Sequence, residues 1–404
     1  MSRKPAYYEF FAGGGMARGG LGESWRCLFA NDFDRKKAES YRANWGGDEL
    51  HVGDVRELST ARLPGRADLV WASFPCQDLS LAGAGAGLKG ERSGTFWPFW
   101  DLMKALRQEG RAPALIVLEN VCGALTSHGG RDFTKICEAL AKERYRFGAL
   151  VIDAALFVPQ SRPRLFIIAA REDVAVPSSL AIRHCEERSD EAIHKSSHGP
   201  GSLRFARNDR TFHTRALVAA HDCLPRALRG NWLWWNLPAP PPRNNSLIDV
   251  IQDAPHDVEW HKPRETNALI AMMSDVNLAK IVEAKRAGRK MAGTLYRRTR
   301  YQNGAKIQRA EARFDNVAGC LRTPAGGSSR QYVLMVDKGK VRSRLMSARE
   351  TARLMGLPED YVLPRNYNEA YHLTGDGVVV PVVRHIAAHL LESLIGAMPL
   401  RSAA

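Results

Sequence analysis

The apolar run Asp68-Leu69-Val70-Trp71-Ala72-Ser73 ends on Phe74-Pro75-Cys76-Gln77, and this junction restricts the fold more than any other stretch of the chain. A run so short and so apolar reads as a buried strand, and the proline ends it and restricts the backbone just before the cysteine. Cys76 is thereby placed at a strand's carboxyl end, the edge of an open α/β sheet where ligands bind. Alone, Cys76 reads as a small buried hydrophobe, as most free cysteines do. Its company argues otherwise. Ala114-Leu115-Ile116-Val117-Leu118-Glu119-Asn120-Val121 is a second buried strand that delivers Glu119 at its end, and Gln160-Ser161-Arg162-Pro163-Arg164 places two guanidiniums before the strand Leu165-Phe166-Ile167-Ile168-Ala169.

The chain opens on a further strand, Tyr7 to Phe11, followed by Ala12-Gly13-Gly14-Gly15, whose glycines allow a tight turn and a close approach to a ligand before a helix. Together these stretches resemble the DNA cytosine-5 methyltransferase family of the bacterial restriction-modification type. The Pro-Cys-Gln, Glu-Asn-Val and Gln-x-Arg-x-Arg signatures occur in that family's order, each at a predicted strand end. The resemblance covers residues 5–170 and 317–396. It implies a Rossmann-like α/β domain that binds S-adenosyl-L-methionine, with a smaller mixed target-recognition domain. On that reading residues 1–175 form the first part of the catalytic domain, 176–316 the recognition region, and 317–404 a return segment that completes the catalytic domain.

The cofactor expectation starts from the residues themselves. A dinucleotide fingerprint counted from Gly13 fails at Arg18, so no pyrophosphate cradle is specified. Asp32, about 20 residues past the glycine turn, is placed for ribose hydroxyls, and Asp54, after the short strand at 51–53, for an adenine amino group. Helix capping is the alternative for both. The resemblance adds Phe11 against the adenine, with Ala12, Gly13, Gly15, Pro75, Asp376 and Val378 completing the cofactor pocket. At Gly375-Asp376-Gly377-Val378 the family has Gly-Asn-Ser-Val, so the hydrogen bonds of residue 376 are in question.

For the reaction, the resemblance implies that Cys76 adds to carbon-6 of a flipped-out cytosine and activates carbon-5 toward the methyl donor. Glu119 hydrogen-bonds the ring nitrogen N3 and the exocyclic amine, and Arg162 and Arg164 favour the thiolate. The small-residue loop after Cys76 reads as a lid, with Gln77 and Ser80 toward the nucleic acid. Lysine plus arginine number 58 against 43 acids, a net charge of +15 that favours a polyanionic partner. Asn303-Gly304 between two basic runs signals a hairpin, and a two-stranded ribbon fits the major groove. Arg297, Arg298 and Arg300 on it, with Thr323 in the following connection, are the candidate DNA contacts, and contact to phosphates alone fits the same residues.

Other stretches read structurally. Asn231-Trp232-Leu233-Trp234-Trp235 is expected to pack against the other domain, and 265–290 to be helical. Residues 181–213, charged and poor in large apolar residues, resemble a translated palindromic repeat, and their histidines match no standard zinc spacing. Seven cysteines, odd in number and without any Cys-x-x-Cys, suggest neither a disulfide framework nor a metal site. No apolar run is seen that approaches the ~18 residues of a membrane span, so a cytoplasmic protein is expected. The resemblance implies a monomer acting on double-stranded DNA beside a possible cognate restriction endonuclease. A tRNA cytosine-5 methyltransferase and a catalytically impaired DNA-binding relic are the competing readings, and a nicotinamide oxidoreductase fails at Arg18.

Overall fold

The computed structural model describes residues 3–75, 93–182, 212–302, 304–323 and 329–398. Cys76, Gln77, Ser80, the loop that follows them and nearly all of the repeat-like stretch lie outside the described residues.

Seven short apolar strands build the larger sheet: β1 (Ala6–Phe10), β2 (Arg26–Asp32), β3 (Leu50–Val52), β4 (Leu69–Ala72), β5 (Leu115–Val121), β6 (Tyr145–Asp153) and β7 (Pro163–Arg171). Their order is β3-β2-β1-β4-β5-β7-β6, parallel except that β7 runs antiparallel to both β5 and β6. Successive side chains point to opposite faces, so each strand feeds two cores. Tyr7, Leu69 and Trp71 enter one cluster, and Tyr8, Phe10, Val70 and Ala72 the other. Helices α1 (Met16–Leu21), α2 (Arg35–Trp45), α3 (Phe96–Gln108) and α4 (Arg131–Lys142) join the strands. Burial on both faces explains why the strands read as continuous apolar runs rather than alternating ones. This is the Rossmann-like core expected from the sequence.

The chain leaves β1 toward β2 on one side and later returns to place β4 on the other. The strand order therefore reverses beside β1, and the crevice at the carboxyl ends of β1 and β4 is the binding position of such a sheet. The glycine turn and Pro75 both lie there.

Residues 212–250 depart from the expected division. Short strands β8 (Ala181–Ile182) and β9 (Trp234–Trp235) pair with each other, and Trp232, Trp234 and Trp235 are buried against the large sheet, with Trp235 Nε1 donating to Ile168 O at 3.1 Å. Leu247 and Val250 enter the same core, so this stretch, expected with the recognition region, packs as part of the catalytic layer. Its large apolar side chains gain more area on that sheet than an exposed connector would offer.

A second, antiparallel sheet follows: β10 (Met291–Gln302), β11 (Ala305–Arg313), β12 (Tyr332–Asp337) and β13 (Lys340–Leu345), in the order β11-β10-β12-β13. The expected hairpin is present: β10 and β11 pair antiparallel up to Gln302 and Ala305, and Gly304 takes φ +78°, as a tight turn requires, while Asn303 lies outside the described residues. The helical character expected over 265–290 takes the form of two helices, Pro263–Ala271 and Asp275–Arg286, which back this sheet.

The return segment then re-enters the large domain. Ser347 and Glu350 form a capping box on the helix Ala348–Leu354. A fully buried Arg344–Glu350 ion pair at 2.6 Å, with Glu350 also accepting from Gln252 N at 2.7 Å, locks the segment to both neighbours. The helix Val380–Ile386 packs on α1 so closely that a Cβ on Gly20 would lie 2.3 Å from Val383 Cβ. Contrary to the sequence expectation, Tyr367–Gly396 is long and apolar enough to cross a membrane by length and composition, but Tyr371, Val383, Ile386 and Leu390 are fully buried in the core.

Candidate active site

The crevice is assembled from three strand ends and the return segment. β1 leads into Phe11, which takes φ +59°, a conformation uncommon outside glycine, and its ring stands edge-on to Phe99. Gly13 and Gly15 continue with φ +55° and +75°. At Gly15 a Cβ would lie 2.3 Å from Trp45 Nε1, whereas over Gly13 the space is open. The carbonyl of Gly14 is held from two sides, by Trp45 Nε1 at 3.0 Å and by the Tyr361 hydroxyl of the return segment at 2.7 Å. The turn is thus rigid where it touches protein and open toward the crevice.

Asp32 ends β2 with its side chain buried, accepting from Gly13 N at 2.7 Å and Asp34 N at 2.8 Å. Burial raises its pKa against Lys37 and these backbone donors. Asp54 instead caps its own turn, accepting from Arg56 N at 2.9 Å and pairing with the Arg56 guanidinium at 3.1 Å. The capping alternative therefore describes Asp54, and Asp32 combines a turn role with a position over the crevice. Ala12 is buried with its N–H on Asn31 O at 2.9 Å. Val378, expected at the cofactor, is 5% exposed and packs in the core.

The Asp376 substitution has its own partners. Lys37 Nζ lies 2.7 Å from Asp376 Oδ2, and the Thr323 hydroxyl donates to Oδ1. Burial opposes its ionisation, but Lys37, Thr323 and Arg162 outweigh that and hold the carboxyl below its ordinary range. Gly377 is explained by α1: a Cβ there would lie 2.2 Å from Met16 Sδ, so the thioether fills the space a serine would need.

Glu119 lies at the end of β5, 6% exposed, with Arg164 Nε 3.3 Å from its Oε1 and a hydrogen bond from Ser73. Burial raises its pKa, and the two arginines and Ser73 only partly offset this. Its neighbour Asn120 donates to Phe74 O at 3.1 Å, tying the end of β5 to the residues that lead into Pro75 and Cys76. This cross-strand tie was not read from the sequence.

Arg162, expected beside Arg164 at the nucleophile, is turned elsewhere. Its guanidinium, 2% exposed, donates to Leu321 O at 2.9 Å, Gly375 O at 2.8 Å and Gly377 O at 2.7 Å. Gln160 is used in the same way, donating to Leu354 O at 2.8 Å and accepting from Leu321 N at 3.1 Å. Gln160 and Arg162 precede β7 and reach the return segment, whereas Arg164, on the strand itself, reaches Glu119, so Gln-x-Arg-x-Arg is both a clamp and a site.

Thr323 joins this group through Asp376. The recognition arginines stand apart from it: Arg300 pairs with Glu311 at 2.6 Å, Arg298 lies 3.9 Å from the same carboxylate, and Arg297 stacks 5.7 Å over Tyr332. Sequence reasoning missed Lys37, for which an acid at 376 was the only signal. Among the described residues no cluster of histidine, cysteine or acidic side chains could hold a metal ion.

The fit to an adenosyl cofactor is good: an open glycine turn, a partly exposed Phe11 ring and a buried Asp32 carboxylate share the switch-point crevice. Comparison with known proteins agrees. The sequence model for C-5 cytosine-specific DNA methylase matches residues 6–392. The chain is 25% identical to the type II methyltransferase M.BsuFI of Bacillus subtilis, over 97% of this chain and 74% of that one. It is 24% identical to the type II methyltransferase M.HpaII of Haemophilus parainfluenzae, over 98% and 91%. Its fold is similar to the crystal structure of the S. pombe Dnmt2 methyltransferase, with a TM-score of 0.55 at 16% identity, covering 97% of this chain and 99% of that one.

Proposed function

The chain belongs to the C-5 cytosine-specific DNA methylase family and is an S-adenosyl-L-methionine-dependent cytosine-5 methyltransferase, and from that premise we propose that its substrate is a flipped-out cytosine in a specific double-stranded DNA sequence. The observation that carries the reading is the Glu119–Arg164 pair at the carboxyl edge of the sheet, tied through Asn120 to the segment ending at Cys76. The match of residues 6–392 to the C-5 cytosine-specific DNA methylase model supports DNA as the polymer.

Carbon-5 of cytosine is a poor nucleophile, and addition of the Cys76 thiolate to carbon-6 converts the ring to an enamine that reacts at carbon-5. S-adenosyl-L-methionine, when bound at Phe11, Gly13 and Asp32, supplies an electrophilic methyl group. Glu119, shifted toward its protonated form by burial, offers a proton to N3 and so stabilises charge that develops as sulfur adds. Arg164 holds that carboxyl in place and keeps positive charge at the crevice. A stacked base cannot be attacked perpendicular to its plane, so the cytosine must leave the helix at a cost of about a few kcal/mol.

RNA is the second reading. Glu311 holds Arg300 and lies near Arg298, so neither guanidinium is free to read base edges without giving up a carboxylate. Backbone contact by this ribbon serves a folded RNA as well as a duplex. Tritium transfer from labelled S-adenosylmethionine to unmethylated DNA and to tRNA, with wild type beside Cys76→Ser, separates the two. Incorporation into DNA that Cys76→Ser abolishes supports the proposal; incorporation into tRNA alone replaces it with the second reading.

A further inference from the structure

A cavity of about 230 Å³ lies between the antiparallel sheet and the start of β7. Among the described residues, four arginines (297, 298, 313 and 322) and no carboxylate line it, together with Ser161, Cys320 and Gln331. Gln331 is 4% exposed and its Oε1 has no hydrogen-bond partner among the described residues, a buried, unsatisfied acceptor in the cavity wall. Cys320 is partly exposed, and its sulfur lies 3.5 Å from Arg162 Nη1. Burial opposes ionisation of this thiol, but Arg162, Arg164 and Arg322 outweigh it and draw its pKa below the ordinary range. In Cys27, Cys122 and Cys137, by contrast, burial pushes the thiol up.

We propose that Cys320 is a modification site, a nucleophilic thiol in an arginine-lined cavity that takes peroxides and small alkylating electrophiles and, once modified, obstructs the polynucleotide. Thiolates, not thiols, are the reacting species, and nearby guanidiniums raise their fraction. With hydrogen peroxide the sulfur attacks one oxygen: the S–O bond forms, the O–O bond breaks, sulfur is oxidised by two electrons to the sulfenic acid, and hydroxide leaves. With iodoacetamide an S–C bond forms and iodide departs. The obstruction, though not the reactivity, rests on the polynucleotide reading proposed above.

The full-length protein is treated with iodoacetamide across a pH series, and each cysteine is followed by peptide mass spectrometry. Exposed Cys223 is the internal reference. The midpoint of the Cys320 pH–rate profile is expected below that of Cys223, and Arg322→Gln is expected to move it upward. Binding is measured in a Cys76→Ser background, so that alkylation of the nucleophile does not enter. Treated Cys76→Ser protein is expected to lose affinity for duplex DNA, and the Cys76→Ser/Cys320→Ser protein to keep it. A Cys320 midpoint at or above that of Cys223, or undiminished affinity after complete Cys320 alkylation, would overturn the proposal. Untreated protein that binds no polynucleotide would count against the proposed function instead, while the labelling profile still decides the reactivity of the thiol.

Discussion

Arg162 donates to the carbonyl of Gly375 at 2.8 Å, joining the start of β7 to the return segment from within the core. The same guanidinium holds Gly377 and Leu321, so one planar fork fixes the backbone on both sides of Asp376. Lysine carries its charge at a point and cannot span three carbonyls. Arg162→Lys is therefore expected to lower stability by about 2 kcal/mol or more, from lost charge-assisted bonds to buried acceptors. Urea denaturation monitored by fluorescence checks this. Unchanged stability with a collapsed rate would instead assign Arg162 to the chemistry.

Glu119→Gln keeps the shape of the side chain but offers no carboxylic proton. It is expected to reduce the rate of methyl transfer about 10²- to 10⁴-fold with the fold intact. Because the folded pKa of Glu119 is raised, the reactive protonated fraction falls as pH rises through that raised value. Single-turnover rates measured over a pH series are expected to show this descending limb in wild type and to lack it in Glu119→Gln.

Glu9, 1% exposed on β1, has a carboxyl that burial raises to about 8, against the pull of Arg18, and one of its oxygens has no hydrogen-bond partner among the described residues. The folded state binds this proton more tightly than the unfolded chain does. Its contribution is then most favourable below the unfolded pKa near 4.5 and is lost as pH rises toward 8. Glu9→Gln is expected to flatten the fall of Tm between pH 5 and 8. A parallel fall in both proteins would show that Glu9 is not its source.

Lys37 and Asp376 are partly exposed, so their pair should couple by about 1 kcal/mol or less and weaken with salt. Lys37→Met leaves Asp32 and Asp376 without their shared cation and is expected to weaken cofactor binding. Asp376→Asn in the same chain is expected to recover part of the loss. Calorimetric titration with S-adenosylhomocysteine over the double-mutant cycle measures this, and additive losses would show that the two residues act separately.

Burial on both faces makes the strands of this sheet uniformly apolar, and that pattern is local, which is why β1, β4, β5 and the later part of β7 were legible from residue order alone. The glycine turn, the hairpin at Gly304 and the capping box at Ser347 were legible for the same reason, since each answers to a backbone requirement of a few adjacent residues. Glu119 and Arg164 could each be named as site residues because both stand at strand ends, where an α/β sheet gathers its ligands, but their pairing with one another came only from the structure. The different tasks of Arg162 and Arg164 could not be read, because the direction of a side chain depends on which strand or segment lies across from it. The same holds for Lys37 meeting Asp376, for Met16 excluding a side chain at 377, and for Cys320 among its arginines. Each of these pairs is far apart in the chain, and only closure of the return segment onto β1 and β7 makes them neighbours.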